Sequence, residues 1–528
     1  MVRARWMALF AVVGLAYLPR LDDVCGLFSD DAWYVLLARA LATGEGYTLT
    51  NLPTPGVAPV YPPGFPLLLS LVFRMAPGFP GNVVLLKAVS IVSMAAVAVL
   101  TIRYCCRDQG FSFATAWLVA LATAVHPAFV FLATSTVMSE CVFTLLALAA
   151  VIVVESALRD ARAIGSLQRA LLGGAIASFA FLTRAVGIAV VFAGLGRLLV
   201  RRRWTGALAF VLAAATVAAP WLLYAREHAA TPAMRAEAND GVVYPYSMQF
   251  WHGVAGAPRL GTVTARDLPG RVAWNAWMVA RSSAGALHLY FPFRSLEPAA
   301  WRIAPGWARA LAVIFSALVL LGFAHTVRER PTTAEILVPA SLAIALAWPF
   351  PPTRYVLPLL PFVLCYTARG VAVLARLLTG RERTAVAPAL LWGLIAASMT
   401  TNGFYAVSLH GPAANRPRWN RIFEERQGVV GWLAARVPGE QVIATQDPAH
   451  IHLYSGLKTV GFVDTAGAFD GWRRLGVRFF AETHYRAGID PTGREIDPAL
   501  AAFTPVYRTP TFDFRVLDLG RLYGSRRG

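Results

Sequence analysis

The chain has 528 residues, of which 57% are hydrophobic and only 15% are charged, and its formal net charge is +19. This apolar content exceeds what the core of one water-soluble domain can bury, so the composition excludes an ordinary soluble enzyme and indicates a polytopic membrane protein. The positive charge does not indicate nucleic-acid binding, because the arginines fall in short clusters between hydrophobic segments rather than in one basic stripe.

Apolar segments of the length of a membrane helix recur from the N-terminus to about residue 408. A stretch of about 20 apolar helical residues crosses the hydrocarbon layer, which is about 30 Å thick. On this criterion the sequence predicts an α-helical membrane protein with about eleven transmembrane helices. The predicted spans cover about residues 6–19, 82–102, 112–133, 137–155, 169–183, 185–200, 205–224, 307–327, 335–350, 354–377 and 386–408.

The orientation follows from the arginine clusters, such as residues 201–203, which the positive-inside rule places in the cytoplasm. This rule predicts a cytoplasmic N-terminus in a bacterial inner membrane and external loops at residues 20–81 and 226–306. Residues 61–76 are apolar but short and rich in proline, so they are predicted to lie at the interface, with a crossing as the alternative. A crossing there would invert every later arginine cluster.

Residues 409–528 differ from the membrane region, residues 1–408, because they are charged and patterned like a globular domain. We expect a small soluble α/β domain on the external, periplasmic side. Its predicted helices cover residues 428–436 and 449–454, and its predicted strands cover residues 442–445, 459–463, 504–507 and 512–517.

Two adjacent carboxylates, Asp30 and Asp31, begin an amphipathic helix directly after the first predicted span. One interpretation is structural, because Ser29 and Asp30 could cap this helix while Asp31 complements its dipole. The other interpretation is chemical, because a carboxylate at the outer membrane face can act as a general base.

Three further charged residues occur where apolar helices begin or meet. Glu140 lies in the first turn of an apolar helix, where an ionised side chain costs about 2.5 to 3.5 kcal/mol at mid-membrane depth. Arg184 separates two short apolar helices, and Arg354 begins a helix whose dipole a cation opposes. Arg184 and Arg354 could bind an anion. The alternative for Glu140 and Arg354 is that their side chains snorkel to the membrane interface, and for Arg184 that it binds a backbone carbonyl group. Tyr355, which follows Arg354, could be only a residue of the interfacial aromatic belt.

The motif Asp30-Asp31-Ala32-Trp33-Tyr34, followed by Tyr61-Pro62-Pro63, resembles the first external loop of GT-C glycosyltransferases. The resemblance is to the branch that contains the protein O-mannosyltransferases and the lipid A aminoarabinose transferase. It continues at Ser139-Glu140, Leu182-Thr183-Arg184 and Thr353-Arg354-Tyr355. Members commonly have Asp-Glu where this chain has Asp30-Asp31, so its second acid is one methylene shorter.

The resemblance implies an inverting transferase that moves a sugar from a polyprenyl-phosphate-linked donor to a hydroxyl of a lipid, polysaccharide or protein. Asp30 and Asp31 are the expected catalytic residues, with Asp30 as the base. No cofactor is expected, although Asp30, Asp31 and Glu140 offer oxygen ligands that a divalent cation could use. The expected substrate-binding residues are Glu140, Arg184, Arg354, Tyr355 and Tyr34.

Two other classes of protein remain as alternatives. A flippase or transporter for lipid-linked sugars predicts ionisable groups near mid-membrane, whereas the acids here cluster near one face. A noncatalytic subunit for envelope assembly predicts that removal of Asp30 leaves function intact.

Overall fold

The computed structural model describes residues 2–254, 256–279, 306–350, 352–380, 385–462, 468–483, 500 and 502–522. The described part of the chain up to Leu409 is mostly helical and contains one pair of antiparallel strands, β1 His252–Val254 and β2 Ala257–Thr262. Its α-helices are Val2–Tyr17, Ser29–Thr43, Gly64–Met75, Val83–Arg107, Phe113–Ala124, Pro127–Thr134, Glu140–Arg159, Ala163–Thr183, Ile188–Val200, Trp204–Glu227, Pro232–Ala238, Tyr246–Gln249, Leu268–Met278, Gly306–Glu329, Ala334–Ala347, Thr353–Val356, Leu360–Thr379 and Val386–Leu409.

Five of the described helical segments are long and apolar enough to cross a membrane. A sixth crossing would come from the helices Phe113–Ala124 and Pro127–Thr134, which meet at an angle of 49°. The bend lies at His126-Pro127, since proline cannot continue a helix without a break. The count of about eleven crossings stays a prediction from hydropathy. The five segments are Val83–Arg107, Glu140–Arg159, Ala163–Thr183, Trp204–Glu227 and Arg354–Thr379.

The helix Gly64–Met75 occupies the segment whose membrane position the sequence leaves open. Its 12 residues extend about 18 Å at the usual helical rise, which is well short of the hydrocarbon thickness of about 30 Å. The helix packs against the helix Ser29–Thr43. Its length favours the interfacial interpretation.

Glycines allow the helices to approach at two places in the bundle. The helix Gly306–Glu329 contacts the helix Leu360–Thr379, and a Cβ atom at Gly322 would overlap the carbonyl oxygen of Tyr366. Likewise, a Cβ atom at Gly174 would overlap the carbonyl oxygen of Phe210. Helix pairs in membranes rely on such small residues because hydrophobic burial does not drive their association.

The described residues after Leu409 form a mixed sheet with helices beside it, which agrees with the α/β prediction. Its strands are β3 Ile443–Thr445, β4 Thr459–Val460, β5 Phe479–Glu482, β6 Pro505–Arg508 and β7 Arg515–Asp518. Their order in the sheet is β4-β3-β5-β7-β6. Strand β3 is parallel to β4 and β5, and β7 is antiparallel to β5 and β6. The sequence did not predict β5, whose four residues are all buried and include no β-branched side chain, unlike residues 442–445. The helices beside the sheet are Arg418–Arg436, Pro448–Ser455 and Ala468–Arg474.

This C-terminal part holds the loop that precedes the helix Ser29–Thr43. The guanidinium group of Arg426, only 2% exposed, donates hydrogen bonds to the carbonyl oxygens of Gly26 at 3.0 Å and Leu27 at 3.4 Å. It also donates to the carbonyl oxygen of Thr483 at 3.1 Å and pairs with Asp447 at 3.5 Å. Arg426 therefore connects the C-terminal sheet to the first external loop.

The same loop is also restricted by the helix Pro448–Ser455. Gly26 has a φ angle of +96°, and a Cβ atom there would overlap the ring of His450. The Tyr454 hydroxyl donates a hydrogen bond to the carbonyl oxygen of Cys25 at 3.2 Å. Only glycine meets both the conformation and the space at position 26.

We expect Gly322→Ala to destabilise the protein by about 1 to 3 kcal/mol, because the added methyl group forces two helices apart. The measurement is the midpoint of thermal unfolding in detergent. Gly393→Ala is the matched control, since no atom lies within 4 Å of a Cβ at that position. Equal midpoints for the two variants would contradict the role of Gly322 in close packing.

We expect Arg426→Met to destabilise the protein by about 3 to 5 kcal/mol, because it removes one member of a buried ion pair and its carbonyl contacts. The control is Arg436→Met on the same helix, whose side chain is exposed. Thermal unfolding in detergent tests both variants. An unchanged midpoint for Arg426→Met would contradict the role of Arg426 in connecting the C-terminal sheet to the first external loop.

Candidate active site

A cavity of about 260 Å³ lies where the first external loop meets the break between the helices Ala163–Thr183 and Ile188–Val200. Residues 240–249 and residues around 344–355 complete its wall. Most of the wall is apolar or aromatic, with a few charged groups, as in many ligand sites. The lining residues are Ser29, Asp30, Trp33, Tyr34, Val60, Tyr61, Pro62, Arg184, Ala185, Val186, Asp240, Gly241, Val242, Tyr246, Gln249, Ile344, Ala345, Trp348, Phe350, Arg354 and Tyr355.

Asp30 faces this cavity from the first turn of the helix Ser29–Thr43. Its Oδ1 accepts a hydrogen bond from the Tyr61 hydroxyl at 2.7 Å, and its Oδ2 pairs with Nη2 of Arg354 at 2.5 Å. Burial raises the pKa of Asp30, but the Arg354 guanidinium and the Tyr61 hydroxyl outweigh burial and hold this pKa below its ordinary value. The carboxyl group is therefore ionised at neutral pH.

Glu140 is fully buried behind the cavity and contacts both arginines of the site. Its Oε1 lies 2.9 Å from Nη1 of Arg184 and 3.2 Å from Nε of Arg354. A buried carboxylate is tolerated when cations compensate for its lost hydration. These two ion pairs, rather than snorkelling to the interface, account for the charge at position 140.

Arg184 occupies the non-helical break that its neighbours predict. Its backbone is extended, with φ of −151° and ψ of 134°, and its side chain is 8% exposed. Nη1 donates a hydrogen bond to Oγ of Ser139 at 2.9 Å, and that hydroxyl donates to Oη of Tyr34 at 3.3 Å. The guanidinium groups of Arg184 and Arg354 lie 5.6 Å and 5.7 Å from the centre of the Tyr355 ring.

Asp31 points away from the cavity although it follows Asp30 directly. Its Oδ2 accepts hydrogen bonds from the backbone amides of Gly26 at 2.8 Å and Leu27 at 3.1 Å, and its Oδ1 accepts from that of Ala32. Burial raises the pKa of Asp31 to about 7, against the opposing effect of these amides. The contacts assign Asp31 to the support of the loop rather than to the cavity.

The capping interpretation of this motif also differs from the structure. The helix Ser29–Thr43 has Phe28 at its N-cap position, and no side chain caps it. Asp30 instead contacts groups on distant segments, and Asp31 binds the amides that precede the helix. The motif therefore serves tertiary contacts as well as the helix dipole.

The structure brings together six of the seven residues that the sequence singles out, and Asp31 is the exception. Two further residues of the site, Tyr61 and Asp240, were not predicted, although Tyr61 belongs to the motif Tyr61-Pro62-Pro63. The sequence Asn239-Asp240-Gly241 is typical of a turn, so it predicts a loop and not a site residue. The six residues are Tyr34, Asp30, Glu140, Arg184, Arg354 and Tyr355.

The charged groups of the site could bind an anion. Asp30 and Glu140 already pair with arginines, and the carboxylate of Asp31 is directed at backbone amides. Among the described residues, no group of three or more His, Cys, Asp or Glu side chains has an arrangement that could hold a metal ion.

Comparison with known proteins identifies the fold. No family sequence model and no curated protein sequence matches this chain. The chain is similar in structure to the oligosaccharyltransferase AglB from Archaeoglobus fulgidus in complex with an inhibitory peptide and a dolichol-phosphate. The TM-score is 0.54 and the identity 14%, over 90% of this chain and 69% of AglB. It is also similar to ArnT from Cupriavidus metallidurans in the apo state, with a TM-score of 0.54 and 13% identity over 99% of both chains. The protein therefore has the same fold as these two proteins, which confirms the resemblance that its motifs show to GT-C glycosyltransferases.

Proposed function

We propose that this protein is an inverting glycosyltransferase that moves a sugar from a polyprenyl-phosphate-linked donor to an acceptor hydroxyl. The observation that carries the proposal is the position of one acid, Asp30, and two guanidinium groups, Arg184 and Arg354, around a single cavity. Support for the donor class comes from AglB, which has this fold and was solved in complex with a dolichol-phosphate.

The proposed reaction is a single displacement at the anomeric carbon. Asp30 takes the proton of the acceptor hydroxyl as its oxygen forms the new glycosidic bond. The bond between the anomeric carbon and the phosphate oxygen breaks, and polyprenyl phosphate leaves with one more negative charge. Arg184 and Arg354 stabilise that charge in a site from which most water is excluded. Attack opposite the phosphate inverts the anomeric configuration.

Arg354 has two roles in this mechanism. Without donor it pairs with Asp30 and keeps that carboxyl ionised. A donor phosphate competes for the same guanidinium group, because phosphate and carboxylate accept the same hydrogen bonds. Transfer of Arg354 from Asp30 to the phosphate leaves Oδ2 of Asp30 open to the acceptor hydroxyl.

The proposed membrane arrangement has about eleven crossings, by hydropathy and the positive-inside rule. The cavity then opens at the external face of a bacterial inner membrane, with the N-terminus in the cytoplasm. Residues 1–408 form the transferase domain, and residues 409–528 form a periplasmic domain that supports the first external loop. Arg426 is the contact that favours this supporting role.

The first test is transfer of radiolabelled sugar from a panel of polyprenyl-phosphate sugars by purified protein. We expect Asp30→Asn to reduce transfer by about 100-fold or more, because general base catalysis contributes about 10² to 10⁴-fold. Asp23→Asn is the matched control, since Asp23 is an exposed acid of the same loop.

Retention of full transfer by Asp30→Asn would contradict the role of Asp30 as base. Movement of the lipid-linked sugar across the bilayer by wild-type protein, with no transfer to any acceptor, would contradict the transferase proposal and support a flippase.

A second test uses the pH profile of kcat/KM, which reports ionisations of the free enzyme. Since the Arg354 cation lowers the pKa of Asp30, we expect Arg354→Met to raise that pKa. The acid limb of the profile, where protonation inactivates the base, then moves to higher pH. Arg354→Lys keeps the charge, so its acid limb stays close to that of wild type. Identical acid limbs in both variants would contradict the coupling between Arg354 and Asp30.

A further inference from the structure

Asp240 is a second carboxyl group on the wall of the candidate active site, on a segment far in sequence from Asp30. Its Oδ1 accepts a hydrogen bond from the backbone amide of Val242 at 2.8 Å, which begins a short 3₁₀ turn. The carbonyl oxygen of Val242 accepts from the amide of Val60 at 2.7 Å, and that of Ala238 accepts from the amide of Gly461 at 2.6 Å. The first external loop and the C-terminal part together fix the position of Asp240.

The surroundings of Asp240 differ from those of Asp30 in one respect. Asp30 pairs with Arg354, whereas no cation pairs with Asp240 among the residues that the structure describes. Burial, together with the charges of Asp447 and Asp30, raises the pKa of Asp240 to about 6. An acid that lines a cavity without a cation is costly unless a ligand supplies hydrogen-bond donors.

The local hydrogen bonds leave part of this carboxyl group for a ligand. The contact with Val242 engages Oδ1, and the side chain keeps partial exposure toward the cavity. Gln249, which lines the same wall, donates from Nε2 to the carbonyl oxygens of Gly241 at 3.1 Å and Tyr244 at 2.7 Å. These bonds hold the wall in shape around Asp240 before any ligand binds.

We propose that Asp240 binds the sugar of the lipid-linked donor by accepting hydrogen bonds from its hydroxyl groups. This inference rests on the proposed function and assigns a sugar subsite to the same cavity. A carboxylate repels the donor phosphate, so the phosphate lies at the end formed by Arg184 and Arg354 and the sugar at the end formed by Asp240. The ring of Tyr246 lines the same cavity and offers an apolar face to the sugar carbons.

Equilibrium binding to the purified full-length protein tests the subsite with two probes. One is polyprenyl phosphate without sugar, and the other is the polyprenyl-phosphate sugar that wild type uses or, if none is used, each member of the donor panel. Asp240→Asn keeps an oxygen that can accept from Val242, so the turn is retained. Asp267→Asn is the matched control, because Asp267 is an exposed acid of the same external region that does not line the cavity.

We expect Asp240→Asn to weaken binding of the sugar-bearing donor by about 10- to 100-fold, as for the loss of hydrogen bonds to a charged group. Binding of sugar-free polyprenyl phosphate is not weakened, since the substitution removes only the repulsion between the Asp240 carboxylate and the phosphate. KM for the donor rises in parallel, and Asp267→Asn matches wild type with both probes.

Unchanged affinity for the sugar-bearing donor in Asp240→Asn would overturn the subsite. So would an equal loss for both probes, because Asp240 would then act through the fold or the phosphate end. Failure of wild-type protein to bind either probe would refute the proposed function, and the subsite with it. The sugar-free probe thus separates failure of the subsite from failure of the function.

Discussion

The candidate active site depends on one buried carboxylate, Glu140, whose charge holds two guanidinium groups beside the cavity. An uncompensated buried carboxylate would cost several kcal/mol, and two arginines without an anion between them would repel each other. Arg184 lies in a break between two helices and Arg354 at the start of another, so the ion pairs join three separate segments. With Asp30, the network contains two positive and two negative charges, and an incoming anion can exchange places with a carboxylate.

The adjacent acids Asp30 and Asp31 show how one short motif serves two purposes. Successive residues of a helix point about 100° apart, so one carboxyl group faces the cavity while the other faces the loop behind it. Asp31 binds the amides of Gly26 and Leu27, and Arg426 binds their carbonyl groups. The C-terminal part thereby contributes to the position of Asp30, although none of its described residues lines the cavity.

Local pattern predicted much of the helical region and several of the C-terminal strands. Long apolar segments and segments of strand composition carry their signal within a few neighbouring positions, so no knowledge of the fold is needed. Strand β5 was missed because its four buried residues include no β-branched side chain, which was the signal in residues 442–445. Asp240 was missed because a turn with Asn, Asp and Gly reads as a loop wherever it lies in space.

The sequence by itself determined that the chain is an apolar helical protein and that its motifs resemble those of GT-C transferases. It also marked Asp30, Arg184 and Arg354 as candidate site residues, because they are charged and lie beside apolar helices. Only the tertiary structure decided their partners. Arg354 reaches Asp30 across 324 positions, and Asp240 reaches the same cavity from a third segment. Such contacts depend on how the helices pack, and that packing arises from surfaces far apart in the chain, which local periodicity does not encode.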